Sequence, residues 1–304
     1  MTLPRRPLPF VLCSSNHGTM IVNYKDSRMV NATAGYGVGH QLLNNACFDP
    51  SEIDMVLQLL TVRRRTAGEG VVALDCGANI GVHSIEWARH MHQWGRVLAF
   101  EAQERIYYAL AGNIALNNCF NAKAFHVALG ERAGRLKIPQ PDYNQAASFG
   151  SLELRKNAQT EYIGQNISYE DADCEQVDMM AIDDLCLARV DLLKIDVEGM
   201  ELDVLAGASR SIEKYKPLML IEQIKVDSQR LRQWLKEKGY VVHPMGMNVL
   251  AIHPSDPVST QLQVTPAQPR GPALHPADGF VRQPLNPGAP AQDAHSPVPG
   301  CEDL

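Results

Sequence analysis

Residues 71–82, VVALDCGANIGV, contain the pattern that decides the fold. The apolar start, with its β-branched residues, predicts a buried parallel strand that is closed by Asp75 and a glycine-rich turn, GANIG. The next segment, HSIEWARHMHQW, has the apolar periodicity of a helix. A second apolar strand, RVLAFEA, follows and contains the acid Glu101 at its end. This order predicts the nucleotide-binding half of a doubly wound α/β sheet.

The glycine turn indicates which ligand this half of the sheet binds. In such sheets the glycines let the backbone approach the ligand, and the acid that ends the second strand accepts the two ribose hydroxyls. Dinucleotide sites have the pattern G-x-G-x-x-G, but here Asn79 stands in place of the middle glycine. Asp75 is unfavourable beside a pyrophosphate and suits a ligand with an ammonium and a sulfonium group, which is S-adenosylmethionine. The candidate cofactor-binding residues are Asp75, Gly77, Ala78, Asn79, Gly81, Glu101 and Ala102.

Composition limits the classes of partner. The 304 residues are 45% hydrophobic and 20% charged, which is enough for one large core. The net charge of −6 argues against nucleic acid as the main ligand. Seven scattered cysteines without a C-x-x-C pair favour reduced thiols over a zinc site or a disulfide framework. We therefore expect a cytoplasmic protein that has no membrane span and no nucleic-acid partner.

Three regions differ in their sequence patterns. Residues 1–70 predict an N-terminal cap with two short strands, a GYGVGH segment and a helix after Pro50. Residues 71–254 alternate strands and helices, except in an insertion at 131–176, which we expect over the carboxyl ends of the strands, where ligands bind. Residues 255–304 are rich in proline, alanine and glycine and predict a disordered tail.

The end of the alternating region distinguishes two kinds of α/β sheet. The segments YVVHPM and NVLAIHP are separated by little more than Gly246 and Met247, which predicts a hairpin. A hairpin makes one of its two strands antiparallel to the rest of the sheet. This arrangement is typical of methyltransferase sheets and differs from the six parallel strands of the dinucleotide fold.

Carboxylates follow two other predicted strands. Asp196 and Glu198 come directly after the strand VDLLKI, and Glu222 ends the strand PLMLIE. The carboxyl ends of neighbouring parallel strands lie at one edge of a sheet, so we expect the three acids to converge. Such a cluster shares a proton, binds a hard cation or holds substrate hydroxyls. Asp196, Glu198 and Glu222 are the candidate catalytic residues, acting as a base or through a magnesium-bound alkoxide, and no residue is assigned as a metal ligand.

The segments LDCGANIGVHSIEWA, LKIDVEGMELDVLAGA and PLMLIEQ together resemble the FkbM-type methyltransferases. The resemblance spans roughly residues 71–254 and implies a class I methyltransferase fold, S-adenosylmethionine as cofactor and O-methylation of glycan or polyketide hydroxyls. It places Asn113 and Asn117 on the asparagines of the helix that follows Glu101, with Asn117 as a further cofactor-binding candidate. It also places Glu201 in the KIDVEG-x-E motif.

The combined interpretation is an S-adenosylmethionine-dependent O-methyltransferase that acts on a hydroxyl of a small molecule or glycan. Two alternatives stay open. An NAD-dependent oxidoreductase is disfavoured by Asn79 and by the closing hairpin. A non-catalytic protein that binds S-adenosylmethionine or a nucleotide is disfavoured by the intact acids Asp196 and Glu222.

Overall fold

The computed structural model describes residues 6–31 and 35–260. The strands of these residues are β1 (Phe10–Ser15), β2 (Gly18–Asn23), β3 (Arg28–Met29), β4 (Gly35–Tyr36), β5 (Val71–Cys76), β6 (Gly95–Glu101), β7 (Ala122–His126), β8 (Ala128–Leu129), β9 (Gly134–Pro139), β10 (Cys174–Met180), β11 (Leu192–Ile195), β12 (Leu218–Glu222), β13 (Val241–Met245) and β14 (Asn248–Ile252). The α-helices are α1 (Val38–Asn45), α2 (Pro50–Ala67), α3 (Val82–His90), α4 (Glu104–Leu116), α5 (Glu201–Gly207), α6 (Ser209–Tyr215) and α7 (Ser228–Glu237). Short 3-10 helices are formed by Phe149–Ser151, Ile182–Leu185 and Pro257–Thr260.

The central sheet has the strand order β13-β14-β12-β11-β5-β6-β7. Strands β5, β6, β7, β11 and β12 are parallel to their neighbours in this group, whereas β14 runs antiparallel to both β12 and β13. The tight β13–β14 hairpin turns at Gly246 and Met247, as predicted. The predicted doubly wound α/β sheet with a closing antiparallel hairpin is therefore confirmed.

Helices cover both faces of this sheet. Every residue of β5 is buried, which is the pattern of a parallel strand covered on two sides. Leu60 of α2 and Trp87 of α3 belong to the apolar cluster on one face, and Leu205 of α5 and Leu231 of α7 belong to the cluster on the other. Among residues 6–31 and 35–260, no helix combines the length and the apolar character needed to cross a bilayer.

The described part of the N-terminal region shares the core of the sheet. Met20 and Val22 of β2 are fully buried in the same cluster as α2 and α3. The backbone N–H of Ile21 donates to Asn113 Oδ1 on α4 at 2.5 Å. Within the region predicted as a cap (1–70), residues 6–31 and 35–70 are thus part of the packed domain and supply one wall of the cavity described below.

The insertion at 131–176 contains a strand that pairs outside the central sheet. Strand β10 pairs antiparallel with β9 and parallel with β8, which gives a separate three-stranded sheet. The long connection between β9 and β10 returns to the carboxyl ends of the central strands, where the insertion was expected. Its Ala147 forms a parallel bridge with Asp26, so the insertion and the N-terminal region meet.

The predicted start of the tail at residue 255 needs correction. Val258 is 1% exposed and belongs to the apolar cluster of α2, and Asp256 Oδ2 lies 2.8 Å from Arg63 Nη1. Composition missed this contact because a single apolar residue and one ion pair hardly alter the average over a long segment. The rest of that prediction, residues 261–304, lies outside the described residues.

We expect Val258→Ala to lower the free energy of unfolding by about 1–2 kcal/mol, because two buried methyl groups are removed and a small cavity remains. The matched variant Val30→Ala removes the same atoms from a side chain that is 66% exposed, and should stay within about 0.5 kcal/mol of the original chain. Urea unfolding of the two variants measures the difference. Equal stabilities would contradict the placement of residues 255–260 in the domain.

Candidate functional site

A cavity of about 910 Å³ opens at the carboxyl ends of the central parallel strands. This is near the upper end of the usual range for ligand cavities, so a cofactor and a second small molecule can fit together. The walls come from four parts of the chain: the glycine turn, the predicted acids, the N-terminal region and the insertion. The lining residues of the predicted cofactor set are Gly77, Ala78, Asn79, Gly81, Glu101 and Ala102, and those of the predicted catalytic set are Asp196, Glu198 and Glu222.

The glycine turn lies close to the end of β11. The backbone N–H groups of Gly77 and Ala78 donate to the carbonyl of Phe100 at 3.0 and 2.9 Å, which ties the turn to β6. A Cβ atom on Gly77 would lie 1.8 Å from the carbonyl oxygen of Asp196, and its φ of +79° favours glycine as well. Glycine is therefore required here for the close approach of two strand ends.

Glu101 presents a fixed carboxylate to the cavity. The residue is 7% exposed; its Oε2 accepts from the backbone N–H of Asn79 at 3.0 Å and its Oε1 from that of Gln103 at 2.8 Å. Burial raises the pKa of Glu101 to about 7, and the backbone N–H groups around it oppose this rise. Each oxygen keeps a further lone-pair position, so two hydroxyls of a vicinal diol can both donate to it.

Asp75 occupies a different place from the one predicted. It is fully buried and does not line the cavity; its Oδ2 accepts from Ser84 Oγ at 2.6 Å. The cavity wall above it includes Lys194, whose Nζ lies 3.6 Å from Asp75 Oδ1. Asp75 was predicted to contact the ligand, but it is not among the residues that line the cavity, because the strand directs this side chain beneath the turn.

Asn117 also lies away from the cavity. Its Nδ2 donates to the carbonyl of Thr19 at 2.9 Å and to that of Asn113 at 2.8 Å. Asn113 is fully buried and donates to the carbonyls of Ile80 and Ile21. The two asparagines fasten β2 and the glycine turn to α4, so the assignment of Asn117 to cofactor binding is corrected to a structural role.

The three predicted acids do converge at the cavity. Asp196 follows β11, Glu222 ends β12, and Glu198 lies between them in a positive-φ conformation, with φ of 55°. Each offers one carboxylate oxygen, and these oxygens lie within 4.8 Å of one another. The convergence follows from the parallel pairing of β11 with β12, which brings the ends of the two strands side by side.

Two lysines compensate two of these acids. Lys194 Nζ lies 3.1 Å from Asp196 Oδ2, and Lys225 Nζ lies 2.6 Å from Glu198 Oε2. Glu222 Oε2 is buried and has no hydrogen-bond partner among the described residues. Two of the acids are thus paired with lysines and Glu222 is not, although all three lie at or just after the ends of neighbouring strands.

The pKa values reflect this difference. Burial, followed by repulsion from Asp196, raises the pKa of Glu198 to about 8, although Lys225 opposes the rise. Burial raises the pKa of Glu222 to about 10, with further contributions from Asp196, Glu198 and Glu201. At neutral pH the Glu222 carboxyl of the ligand-free protein therefore holds its proton.

We expect Glu222→Gln to make the ligand-free protein more stable, by about 0.5–2 kcal/mol. The folded protein keeps the Glu222 proton up to a pKa of about 10, whereas an ordinary glutamate has a pKa of 4.5. The free energy of unfolding therefore falls as pH rises through this window, and the variant removes that loss. Its advantage should grow from about pH 5 to about pH 9 in urea unfolding. The exposed control Glu213→Gln should show no such trend, and a pH-independent effect of Glu222→Gln would contradict this electrostatic description.

A network that the sequence analysis missed fastens the walls of the cavity together. Glu161 of the insertion accepts from Arg28 Nη1 at 2.5 Å and from the hydroxyl of Tyr36 at 2.6 Å. Its other oxygen lies 3.2 Å from Lys225 Nζ, which also donates to the carbonyl of Ser151 at 2.6 Å. The GYGVGH segment includes Tyr36, but nothing in the sequence indicated that it contacts Glu161, because Glu161 is 125 residues away.

The segment SFGSLEL, which had no role in the sequence analysis, forms another part of the wall. Ser148, Gly150, Leu152 and Leu154 line the cavity. Gln103, next to the strand that ends in Glu101, donates through Nε2 to the carbonyl of Phe149 at 2.9 Å. The insertion is thereby held against the cofactor side of the cavity.

Comparison with known proteins agrees with this arrangement. A family model described as "Methyltransferase FkbM domain" matches residues 75–242, more than half of the chain. The chain belongs to the FkbM methyltransferase family. The predicted resemblance is thus confirmed, and the matched region of this FkbM domain includes the glycine turn, Glu101 and all three converging acids.

Individual relatives are more distant. The chain is 29% identical over 196 residues to Methyltransferase sdnD of Sordaria araneosa, covering 55% of this chain and 72% of that protein. It is 28% identical over 181 residues to Methyltransferase 1 of Beauveria bassiana, covering 56% of this chain and 72% of that protein. The solved structure of Methyltransferase FkbM from Methylobacillus flagellatus aligns with a TM-score of 0.41 at 19% identity, over 61% of this chain and 44% of that one. The present chain therefore spans less than half of that solved protein.

The FkbM domain match begins at residue 75, after the N-terminal part of the cavity wall. Tyr36, His40, Phe48 and Glu52 line the cavity from outside the matched region.

Proposed function

We propose that this FkbM-family protein is an S-adenosylmethionine-dependent O-methyltransferase that acts on a hydroxyl group of a small molecule or glycan. The observation that supports it most strongly is the single cavity shared by two features. One is the glycine turn with the fixed Glu101 carboxylate, and the other is the acid cluster of Asp196, Glu198 and Glu222.

The residues of the cavity fit the cofactor. Glu101 would accept the two ribose hydroxyls, and the turn from Gly77 to Gly81 would let the backbone lie against the ligand. Carboxyl groups outnumber lysines along the lining of this cavity, which suits the sulfonium and ammonium groups of S-adenosylmethionine. When bound, this cofactor supplies an activated methyl group.

The acid cluster can supply the base that the acceptor hydroxyl requires. A hydroxyl oxygen must lose its proton as it attacks, and a carboxylate within reach is a suitable base. Asp196 and Glu198 are paired with lysines, whereas Glu222 has no such partner among the described residues. Magnesium receives no support from the comparisons, and base catalysis by the cluster is the simpler mechanism.

Apolar residues of the cavity lining support an acceptor that is partly apolar. Met29, Val30 and Phe48 come from the N-terminal region, Ile224 follows β12, and Met247 lies in the turn between β13 and β14. Amide side chains lie among them, at Gln41, Asn44, Asn45 and Asn248. Apolar groups with scattered amides are typical of sites that bind uncharged hydroxylated molecules.

A labelling experiment, read together with binding measurements for S-adenosylmethionine and NAD, separates this proposal from its alternatives. S-adenosylmethionine labelled with ¹³C in its methyl group is incubated with the protein and a panel of sugars and hydroxylated polyketides. The carbon chemical shift of any product distinguishes an O-methyl group from N-, C- or S-methyl groups. Cofactor binding without transfer to any acceptor would favour the non-catalytic binding protein, and NAD binding would favour the oxidoreductase.

A further inference from the structure

The three acids at the cavity differ in their cationic partners. Asp196 is paired with Lys194, which is also close to the buried Asp75. Glu198 is paired with Lys225, and the other contacts of that lysine are Glu161 and the carbonyl of Ser151. Both lysines are thus already engaged, and neither is available to neutralise Glu222.

Glu222 faces negative or neutral groups on nearly every side. Asp196 and Glu198 from the end of β11 and Glu201 from α5 all raise the pKa of Glu222, and Lys225 is a cation that opposes this rise. On the neighbouring strand β14 its pairing partner is Asn248, whose amide donates to Glu52; Glu52 is in turn paired with His83. One buried Glu222 oxygen therefore points to no donor within the described residues.

We propose that Glu222 is the group that takes the proton of the acceptor hydroxyl, and that it becomes ionised only when a cationic ligand occupies the cavity. This inference rests on the proposed function and names the base of the same site. Glu222 is protonated in the free protein and becomes available as a base upon binding of the methyl donor, because a nearby positive charge lowers the pKa of a carboxyl by about 1–3.

The charges balance through the transfer. The bond between the acceptor oxygen and the methyl carbon forms, the carbon–sulfur bond breaks with its electron pair left on sulfur, and the hydroxyl proton moves to Glu222. The step removes the sulfonium charge of the donor and the negative charge of ionised Glu222, and leaves a neutral thioether and a neutral carboxyl. Glu222 then retains the proton because its raised pKa is restored once the sulfonium charge is gone.

The test measures the number of protons released when each of two ligands binds. S-adenosylmethionine and S-adenosylhomocysteine differ by the permanent sulfonium charge, which also lowers the pKa of the amino group of S-adenosylmethionine. The proton exchange of each free ligand is therefore measured separately by titration and subtracted. Each is titrated into the protein by calorimetry at about pH 8.5, in two buffers of different ionisation enthalpy. At this pH the Glu101 carboxyl, with its pKa of about 7, and the Glu198 carboxyl, with its pKa of about 8, are largely ionised, so neither can account for the release of half a proton. We expect S-adenosylmethionine to release roughly half a proton or more beyond S-adenosylhomocysteine.

Two variants test whether the released proton comes from Glu222. Glu222→Gln should abolish the difference between the two ligands, whereas Glu161→Gln, which changes a cavity carboxylate already paired with Lys225 and Arg28, should retain it. Equal proton release by the two ligands in the original chain, or a difference that survives Glu222→Gln, would overturn the inference. Absence of binding by either ligand would instead show that the proposed function is wrong, and the inference with it.

If Glu222→Gln does not fold, the pH dependence of ligand binding by the original chain still tests the inference. The ratio of the two dissociation constants should then shift in favour of S-adenosylmethionine as pH rises from about 7 to about 9, by up to about tenfold for each pH unit. A ratio that is independent of pH over this range would overturn the inference.

Discussion

Glu222→Gln is expected to lower the rate of methyl transfer by about 10²-fold or more, the usual scale for removal of a general base. The substitution keeps the shape of the side chain and removes its ability to accept the proton. The affinity for S-adenosylhomocysteine should stay within about threefold of that of the original chain, because this ligand lacks the sulfonium charge that Glu222 would face. Asp196→Asn is expected to lower the rate to a comparable degree, since the Asp196 charge raises the pKa of Glu222.

The control for these variants is Glu213→Gln on the far helix α6, which should retain full activity. Steady-state rates with an acceptor identified by the labelling experiment give the comparison. Addition of EDTA separates the two chemical routes: inhibition that magnesium reverses indicates a cation, and indifference indicates direct base catalysis. Near-normal turnover by both Glu222→Gln and Asp196→Asn would show that the acid cluster is structural.

Glu101→Ala should weaken S-adenosylhomocysteine binding by tenfold or more. The two ribose hydroxyls lose a charged acceptor, and each such bond contributes on the order of 1.5–3 kcal/mol. The ionised carboxyl is the better acceptor, so the affinity of the original chain should also fall as pH drops below about 7.

Glu104→Ala, at the start of the following helix, is the matched control and should leave the affinity unchanged. Calorimetry with S-adenosylhomocysteine measures all three proteins, and circular dichroism confirms that they are folded. An unchanged affinity for Glu101→Ala would remove Glu101 from the cofactor site.

The parts of the fold that the sequence predicted are those set by local pattern. The β5 strand, its glycine turn and the acid that ends β6 form one short stretch, and backbone geometry fixes their relation. The convergence of Asp196 with Glu222 was predictable for a similar reason, since adjacent parallel strands end at one edge. The short link at Gly246 and Met247 likewise required a hairpin.

The contacts that the sequence did not predict join distant segments. The pairing of Lys225 with Glu161, and of Glu161 with Tyr36, depends on how a long insertion folds back. Asp75 shows a second limit, because strand alternation does not tell whether the last side chain of a strand points into the cavity or beneath the turn. The difference in pKa among the three acids is a third limit, because it depends on which lysine lies next to which carboxylate.

The central claim is that the cavity binds S-adenosylmethionine, and calorimetry on the full chain tests it most directly. S-adenosylmethionine, S-adenosylhomocysteine and NAD are titrated in parallel into the same preparation. We expect one saturable site for S-adenosylmethionine and S-adenosylhomocysteine, competition between these two ligands, and no binding of NAD. Binding of NAD alone, or of none of the three, would contradict this claim.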